Sequence, residues 1–363
     1  MKFALFPFRK NNRSGIILLV ALWILVILSV LAVGLGRRTG VDLSLTKYAL
    51  SGLKARYMAW AGLMYAIHQI KMDTEDPITS TSDTLYQCGI KLEEGKTPQL
   101  IFQKVSLGDG NFEVFYNPFE SGQAPQRVFY GLRDEESKIN LNAMNSQNYK
   151  VLSQLIVLLG FDEDTAKTIA SSAADWHDPD QTMTNPPFGA EDNDYMSLAK
   201  PYHCKNLPFQ NLEELLLVKG MTSQIYSKLK NYVTTFPQEA SALLVNMNTA
   251  AEIVIRALAR SMAGPITNTD MADADSMAAK VLTYRWGNDG EPLTLDDRLI
   301  DENEIPFNAK EKAVFLAVKN QTTNVSHYFR IHVKATDNLS GISSNLESVV
   351  YRDDLSIVLW HRN

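Results

Sequence analysis

The sequence contains little cysteine and no excess of positive charge. Its 363 residues include only two cysteines, Cys88 and Cys204. Two thiols exclude a disulfide-rich miniprotein and a four-cysteine zinc site, although they could form a single bridge in an oxidising compartment. The 35 lysines and arginines are outnumbered by 41 aspartates and glutamates, which gives a net charge of −6. Because binding to a phosphate backbone draws on basic surface, this balance argues against nucleic acid as the main partner.

Recognisable catalytic motifs are also missing. The sequence contains no nucleophile elbow, no phosphate-binding P-loop, no zinc-protease HExxH sequence and no dinucleotide-binding glycine pattern. Its six histidines are scattered, and none is paired in sequence with an obvious nucleophile. We therefore expect a protein that is not an enzyme.

One long hydrophobic run lies near the N-terminus. The 20 residues from Ile16 to Leu35 contain no charged side chain. As a helix they extend for about 30 Å, which matches the hydrocarbon core of a bilayer. The preceding segment carries four basic residues and no acid, and this predicts a cytoplasmic N-terminus, although Arg37 and Arg38 weaken that orientation. A cleaved signal peptide is the alternative, but the run is longer than usual and no small-residue cleavage site follows it.

The remainder of the chain is predicted to have an α+β fold. Apolar residues at helical spacing from Val41 to Ile70, without a proline, extend the first helix into a globular head. Strand-like runs follow between residues 83 and 132, and strands are predicted again at 314–318, 327–335, 348–352 and 356–360. The segment between these two groups has a helical pattern. The predicted divisions are 1–15, 16–36 (membrane span), 37–136 (head), 137–306 (inserted helical domain) and 307–363 (closing strands).

An acidic segment from Asp175 to Asp194 stands out within the predicted insertion. Its 20 residues include no lysine or arginine and six carboxylates: Asp175, Asp178, Asp180, Glu191, Asp192 and Asp194. A hard cation with oxygen ligands, calcium above all, would relieve their mutual repulsion, although the spacing is not that of an EF-hand. A solvated acidic loop is the simpler alternative. A transition-metal site with His177, His203 and Cys204 is a third alternative, which the oxygen-rich surroundings disfavour.

A second segment of the predicted insertion resembles a helix-hairpin-helix unit. Residues 212–232 read as a helix, a turn at Lys219 and Gly220, and a second helix that begins after Thr222. Such hairpins can grip a DNA backbone, so a membrane-anchored DNA-binding protein is the alternative function. Three lysines support it, and the two acids Glu213 and Glu214 offset them.

The N-terminus carries the features of a known leader. Arg13, Ser14 and Gly15 directly precede the apolar run, which resembles the leader of type IV pilin-like proteins. Those proteins normally carry glutamate at the fifth mature position, where this chain has Val20. The chain resembles the minor pseudopilin K family of type II secretion systems, which lacks that glutamate. Further matches are Lys138-Ile139-Asn140-Leu141-Asn142, Asp175-Trp176, Gly189-Ala190-Glu191-Asp192, Tyr195, Pro201-Tyr202, Asn206 and Glu213-Glu214-Leu215.

The resemblance implies a structural role in secretion. A prepilin peptidase would cut between Gly15 and Ile16, and the mature chain would cross the inner membrane once, with its head in the periplasm. Its partners would be the other minor pseudopilins, of the I and J types, at the tip of the pseudopilus, and nucleic acid would not be one. The family's calcium-binding helical domain implies ions near Asp178, Asp180, Glu191 and Asp194, with Asp175, Asp192 and Asn206 as further candidates. A bridge between Cys88 and Cys204 would be compatible with the periplasm.

Overall fold

The computed structural model describes residues 14–116 and 128–362. The predicted leader, residues 1–15, lies outside this range except for Ser14 and Gly15. Helices in the described part are α1 Ser14–Thr74, α2 Pro98–Phe102, α3 Tyr149–Leu158, α4 Glu163–His177, α5 Asp192–Met196, α6 Ser223–Leu229, α7 Glu252–Met262, α8 Met271–Arg285 and α9 Ala309–Val318. Short 3-10 helices occur at Thr79–Thr81, Leu141–Ala143, Leu212–Leu217 and Lys319–Gln321.

Within residues 14–116 and 128–362 the strands form one antiparallel sheet and two small parallel pairs. They are β1 Val105–Leu107, β2 Gly110–Tyr116, β3 Phe129–Tyr130, β4 Arg133–Asp134, β5 Ile139–Asn140, β6 Val233–Thr234, β7 Val245–Asn246, β8 Thr322–Thr323, β9 Tyr328–Asp337, β10 Ser343–Tyr351 and β11 Ile357–Arg362. The order across the main sheet is β1-β2-β9-β10-β11, with β3 beside β2 and β4 beside β9. Strands that precede the insertion therefore pair with strands that follow it, as the sequence predicts. The α+β fold with a long N-terminal helix is confirmed.

Helix α1 is a single helix with two environments. Its first part is apolar and exposed, and it is long enough to cross a membrane. Its last turns pack Ala55, Ala59 and Leu63 against the face of the main sheet, where they meet side chains of β2 and β9. The two alanines let the helix approach the strands closely. Helix α1 and the sheet together form the head.

The inserted helices have a hydrophobic core of their own. This core contains buried side chains from Ile139 to Val318, whereas the head core draws on residues 55–132 and 329–350. Helix α3 packs on α4 and α7, and α7 packs on α8. Two separate cores explain how a long helical segment can interrupt the head without changing its sheet.

Two local predictions are wrong. Residues 314–318 were expected to form a strand, but they belong to α9 and lie in the insertion's core, past the predicted boundary at residue 306. The Asn308 side chain accepts hydrogen bonds from the backbone of Lys310 and Glu311, each at 2.9 Å, and this cap starts a helix where the apolar run alone reads as a strand. The region between residues 83 and 132, which was expected to hold strand-like runs, likewise contains helix α2, and β1 starts only at Val105.

The two cysteines do not meet. Cys88 and Cys204 are both free and buried. Cys88 lies in the head core and Cys204 in the core of the insertion, and the bridge that the sequence left open is not formed in this structure.

The close packing of α1 on the sheet yields a test with a matched control. A Cβ atom at Gly62 would lie 2.6 Å from Val333 Cγ1 and 2.9 Å from Phe112 Cδ2, whereas one at Gly52 would meet nothing within 4 Å. We expect Gly62→Ala to lower the free energy of unfolding by about 1–3 kcal/mol, because the sheet must move. Gly52→Ala should raise it by about 0.5–1 kcal/mol, because alanine favours the helix. Thermal unfolding of the full chain in detergent, followed by circular dichroism, would measure both, and equal shifts would contradict the packing.

Candidate metal centre

The acidic segment is folded around one buried carboxylate at the end of α4. Asp175 is fully buried, and its two oxygens accept the backbone N–H groups of Thr184 and Ala190, each at 2.7 Å. Gly189 sits against this carboxylate so closely that a Cβ atom there would lie 2.2 Å from Asp175 Oδ2. Asp175 therefore closes the loop between α4 and α5 and turns the other acids toward one another.

Three of the predicted acids come together at the mouth of this loop. One carboxylate oxygen from each of Asp178, Asp180 and Glu191 lies within 4.8 Å of the other two. Asp178 caps the C-terminus of α4, and Glu191 precedes α5. Glu191 is 3% exposed and Asp180 is exposed, so the group is buried on one side and open on the other. The cluster could hold a metal ion.

Several buried oxygens around the cluster lack a hydrogen-bond donor. Within the described residues, no donor reaches Asp178 Oδ1, either carboxylate oxygen of Glu191, or Asn206 Oδ1. The Asn206 backbone donates to Trp176 O at 2.9 Å, which places this residue beside the end of α4. A buried oxygen without a donor is costly, and a cation removes that cost. The donors are all oxygens, so they fit a hard cation better than zinc.

The electrostatics point the same way. Burial and then the charges of Asp180 and Asp175 raise the pKa of Asp178 to about 6. Burial, followed by the charges of Asp175, Asp178, Asp180 and Asp194, raises the pKa of Glu191 to about 8. Each shift expresses the cost of holding negative charge in this loop without a positive partner.

The remaining predicted ligands accept other donors. Asp192 Oδ1 lies 3.0 Å from His203 Nδ1 and 2.9 Å from the backbone nitrogen of Cys204. Asp194 forms a 3.1 Å ion pair with Lys219 and accepts the Glu191 N–H at 3.2 Å. Asp192 and Asp194 thus stabilise the loop around the three-acid cluster.

The groups of the zinc alternative are dispersed. His177 Nε2 lies 2.8 Å from Met144 O, on the side of α4 that faces the insertion's core. Cys204 is buried, with its sulfur 3.6 Å from Asp175 O. The ligand cluster of Asp178, Asp180 and Glu191 therefore includes neither a histidine nor a cysteine.

The hairpin segment serves to pack the insertion. Gly220 has a positive φ of 83° and lies against Ile169 of α4. Lys219 Nζ donates to Gly189 O and Asp194, each at 3.1 Å, so its charge is used within the loop. Lys228 Nζ donates to Leu159 O at 3.2 Å. Two of the three lysines offered as phosphate contacts thus bind acceptors inside the domain.

Comparison with known proteins shows which proteins this chain is similar to. Residues 137–238 match the family described as type II secretion system (T2SS), protein K. The type II secretion system protein K of Klebsiella pneumoniae is 26% identical over 251 residues, which cover 66% of this chain and 67% of that protein. The protein of the same name from Pseudomonas aeruginosa is 24% identical over 255 residues, or 69% of each chain.

A solved structure shares the fold. A chain in the crystal structure of the GspK-GspI-GspJ complex from the enterotoxigenic Escherichia coli type 2 secretion system matches with a TM-score of 0.59. The match covers 88% of this chain and 99% of that chain at 18% identity. The long helix, the head and the insertion therefore follow a known architecture.

The raised pKa of Glu191 gives a pH dependence with a defined sign. Its native pKa of about 8 exceeds its ordinary value of 4.5, so the native state binds more protons than the unfolded state between these values. Without divalent cations, the stability that Glu191 contributes should be full below about pH 4.5 and be lost as the pH rises toward 8. Melting temperatures across this range in EDTA would show the fall. Glu191→Gln should make the fall smaller, and the raised pKa values of Asp178, about 6, and Asp134, about 7, keep part of it. Glu163→Gln, at an exposed acid of α4, is the control; a fall unaltered by Glu191→Gln would contradict the assignment.

Proposed function

We propose that this chain, whose residues 137–238 carry the protein K domain of type II secretion systems, is a minor pseudopilin that forms or initiates the tip of the periplasmic pseudopilus. The resemblance predicted from the sequence is confirmed by the family match, the relatives and the shared fold. The observation that carries the proposal is the fold match over 88% of the chain, which includes both the head and the insertion. The proposed role is structural: the chain assembles with other subunits of the pseudopilus.

The N-terminal helix would anchor the chain in the inner membrane. The apolar half of α1 is exposed along its whole length, so it can face lipid, and as a helix it satisfies its own backbone hydrogen bonds there. In our proposal a prepilin peptidase cuts between Gly15 and Ile16, at the start of this helix. The basic leader then marks the cytoplasmic side, and the head lies in the periplasm.

The head also has an exposed apolar stripe that suits helix packing. Leu53, Tyr57, Trp60 and Met64 are spaced at three and four residues on the outward face of α1 and are all exposed. The Trp60 ring lies 5.5 Å from the ring of Trp360 in β11, which widens the stripe. This stripe continues the apolar surface of the membrane segment. It is the surface on which we expect helices of the I-type and J-type pseudopilins to pack.

Two features favour a position at the tip. Pilin-like proteins carry a glutamate at the fifth mature position that pairs with the neighbouring subunit, and this chain has Val20 there instead. The chain therefore lacks the side chain that would contact a subunit ahead of it in the filament. The insertion adds bulk that a uniform filament could not easily repeat. A subunit of this shape suits the end of a filament.

Calcium is the ion that we propose for the three-acid cluster. Asp178, Asp180 and Glu191 provide carboxylates from both ends of one loop, and Asn206 adds an amide oxygen from a third segment. Calcium accepts six to eight oxygens in a flexible arrangement, whereas magnesium requires a smaller octahedral site. The ion would hold the loop, and with it the packing of α4 on the hairpin segment.

Calcium should therefore stabilise the full chain in detergent. Adding millimolar calcium after EDTA is expected to raise the melting temperature, because an ion at about 100 times its Kd adds about 2.7 kcal/mol. Asp178→Asn combined with Glu191→Gln should abolish the rise. The matched control is Asp164→Asn with Glu163→Gln, which removes two exposed acids from the first turn of α4. Equal rises in the two double variants would reject the site, and a larger rise with magnesium would reject calcium.

Assembly tests the function itself. The chain is co-expressed with prepilin peptidase and with I-type and J-type minor pseudopilins, and a tag on the J-type subunit is used for purification. We expect the chain to co-purify with a mass that begins at a methylated Ile16. Tyr57→Glu should reduce recovery, because it puts a charge in the apolar stripe, whereas Leu339→Glu, at an exposed turn, should not. Intact Met1 or equal recovery of both variants would count against the proposal.

A further inference from the structure

A cavity separates the head from the insertion. Its volume is about 520 Å³, which is within the range of small-molecule sites. The head contributes Tyr116 and Leu132, and the insertion contributes Leu158, Ile253 and Trp286. These walls are mostly apolar, and none of these five residues belongs to the metal centre.

One wall of the cavity carries a buried arginine whose binding capacity is only half used. Arg285, the last residue of α8, is 3% exposed and lines the cavity. Its Nη1 donates to Met247 O at 2.8 Å and to Ala250 O at 2.7 Å. Its Nε is buried and has no acceptor among the described residues, and its Nη2 forms no hydrogen bond there either. Because Nε has no accessible surface, Nη2 is the donor left for a ligand in the cavity, and a charge-assisted hydrogen bond from it favours a carboxylate.

The other cations on the cavity wall already have partners. Arg256 pairs with Asp275 at 3.2 Å, and Lys138 pairs with Glu135 at 2.7 Å. Arg133 Nη2 donates to Asn231 O at 2.9 Å. In the part of the chain that the structure describes, no carboxylate lies within 4.0 Å of the Arg285 guanidinium. Its charge is therefore buried at the cavity without an ion pair, an arrangement that costs free energy unless an anion joins it.

Three acids of the chain must be weighed as alternative partners. Asp134 and Glu252 line the cavity, but neither lies within 4.0 Å of the Arg285 guanidinium, and Asp134 accepts the hydroxyl groups of Thr249 and Ser326. Asp297 is the third, and its Oδ1 is buried without a donor among the described residues. Its charge acts to raise the pKa of Arg285, but burial dominates and lowers that pKa to about 10. Asp297 Oδ2 accepts the backbone N–H of Leu293 at 2.9 Å, and this bond holds it in the loop after α8. Asp297 is absent from the cavity wall, so it does not fill the space in front of Arg285.

We propose that this cavity binds an organic carboxylate with an apolar body. The carboxylate accepts a hydrogen bond from Nη2 of Arg285, and the apolar part lies against Leu132, Leu158 and Ile253. Two sources share this chemistry: a short fatty acid and the C-terminal residue of a polypeptide. The inference does not depend on the role in the pseudopilus, since it rests on the cavity and on Arg285 alone.

Binding is measured on the full chain in detergent by isothermal titration calorimetry. The probes are hexanoate for the fatty acid and N-acetyl-leucine for the peptide terminus, each compared with its uncharged amide. At least one carboxylate should bind at least tenfold more tightly than its amide, and the tighter of the two identifies the source. No heat from either carboxylate at millimolar concentration, or equal affinities for acid and amide, would overturn the proposal.

Variants locate the site. Arg285→Gln should weaken carboxylate binding at least tenfold, whereas Arg256→Gln, on the same wall but at an arginine already paired, should change it less than twofold. Ala251→Phe fills the cavity without altering Arg285 and should also abolish binding, which covers the case in which Arg285→Gln does not fold. Asp297→Asn should leave the affinity unchanged. A tenfold gain in affinity in Asp297→Asn would show that Asp297 itself pairs with Arg285 in the native protein. Undiminished binding by Arg285→Gln or Ala251→Phe would show that the ligand binds elsewhere. Either result would overturn the proposal.

Discussion

The fold depends on a buried carboxylate at the point where the insertion leaves the sheet and returns to it. Asp134 ends β4, and its Oδ2 accepts the hydroxyls of Thr249, in the insertion, and of Ser326, just before β9. Two residues on, Glu136 Oε2 accepts the backbone N–H groups of His327 at 2.8 Å and Tyr328 at 3.0 Å. The two ends of the insertion are thereby fastened together. A segment whose ends lie side by side can be long without disturbing the domain that carries it, which is why the sheet closes around an insertion with its own core.

A second buried network fixes the membrane helix to the same sheet. Arg352, at the end of β10, binds Asp73 at the end of α1 and pairs with Asp83 at 3.1 Å. All three side chains are buried, and Asp83 Oδ2 also accepts the Ser326 N–H at 2.9 Å. Buried ion pairs add little net stability, but they strongly favour one arrangement over others because a lone buried charge is costly. The helix end, the sheet and the insertion's end thus share one set of charges, and a displacement of α1 along its axis would have to break it.

The sequence predicts those parts of this structure that depend on local pattern. The apolar run, the amphipathic continuation of α1 and the strands around residues 328–362 follow from hydrophobic period, and the structure has all of them. The strand expected at 314–318 fails because a short apolar run reads the same for a buried strand and a buried helix. The deciding signal lies three to six residues before Val314, where Asn308 and Glu311 form a capping box that starts the helix. Composition also located the acidic loop, but it could not show which acids form the cluster. Asp175, Asp192 and Asp194 bind backbone amides or side chains that lie farther along the chain, and these contacts are set by the fold.

The division of the acids into two groups explains how the loop could respond to an ion without the whole head responding. Asp175, Asp192 and Asp194 are satisfied by backbone amides, His203 and Lys219, so the frame of the loop stands without a cation. Asp178 and Glu191 keep buried oxygens without donors, so their repulsion is the part that a cation would remove. This repulsion acts between the end of α4 and the start of α5, both of which lie in the insertion. The head has a separate core and a separate set of buried charges, so ion binding would stiffen the insertion while the sheet and the membrane helix stay as they are.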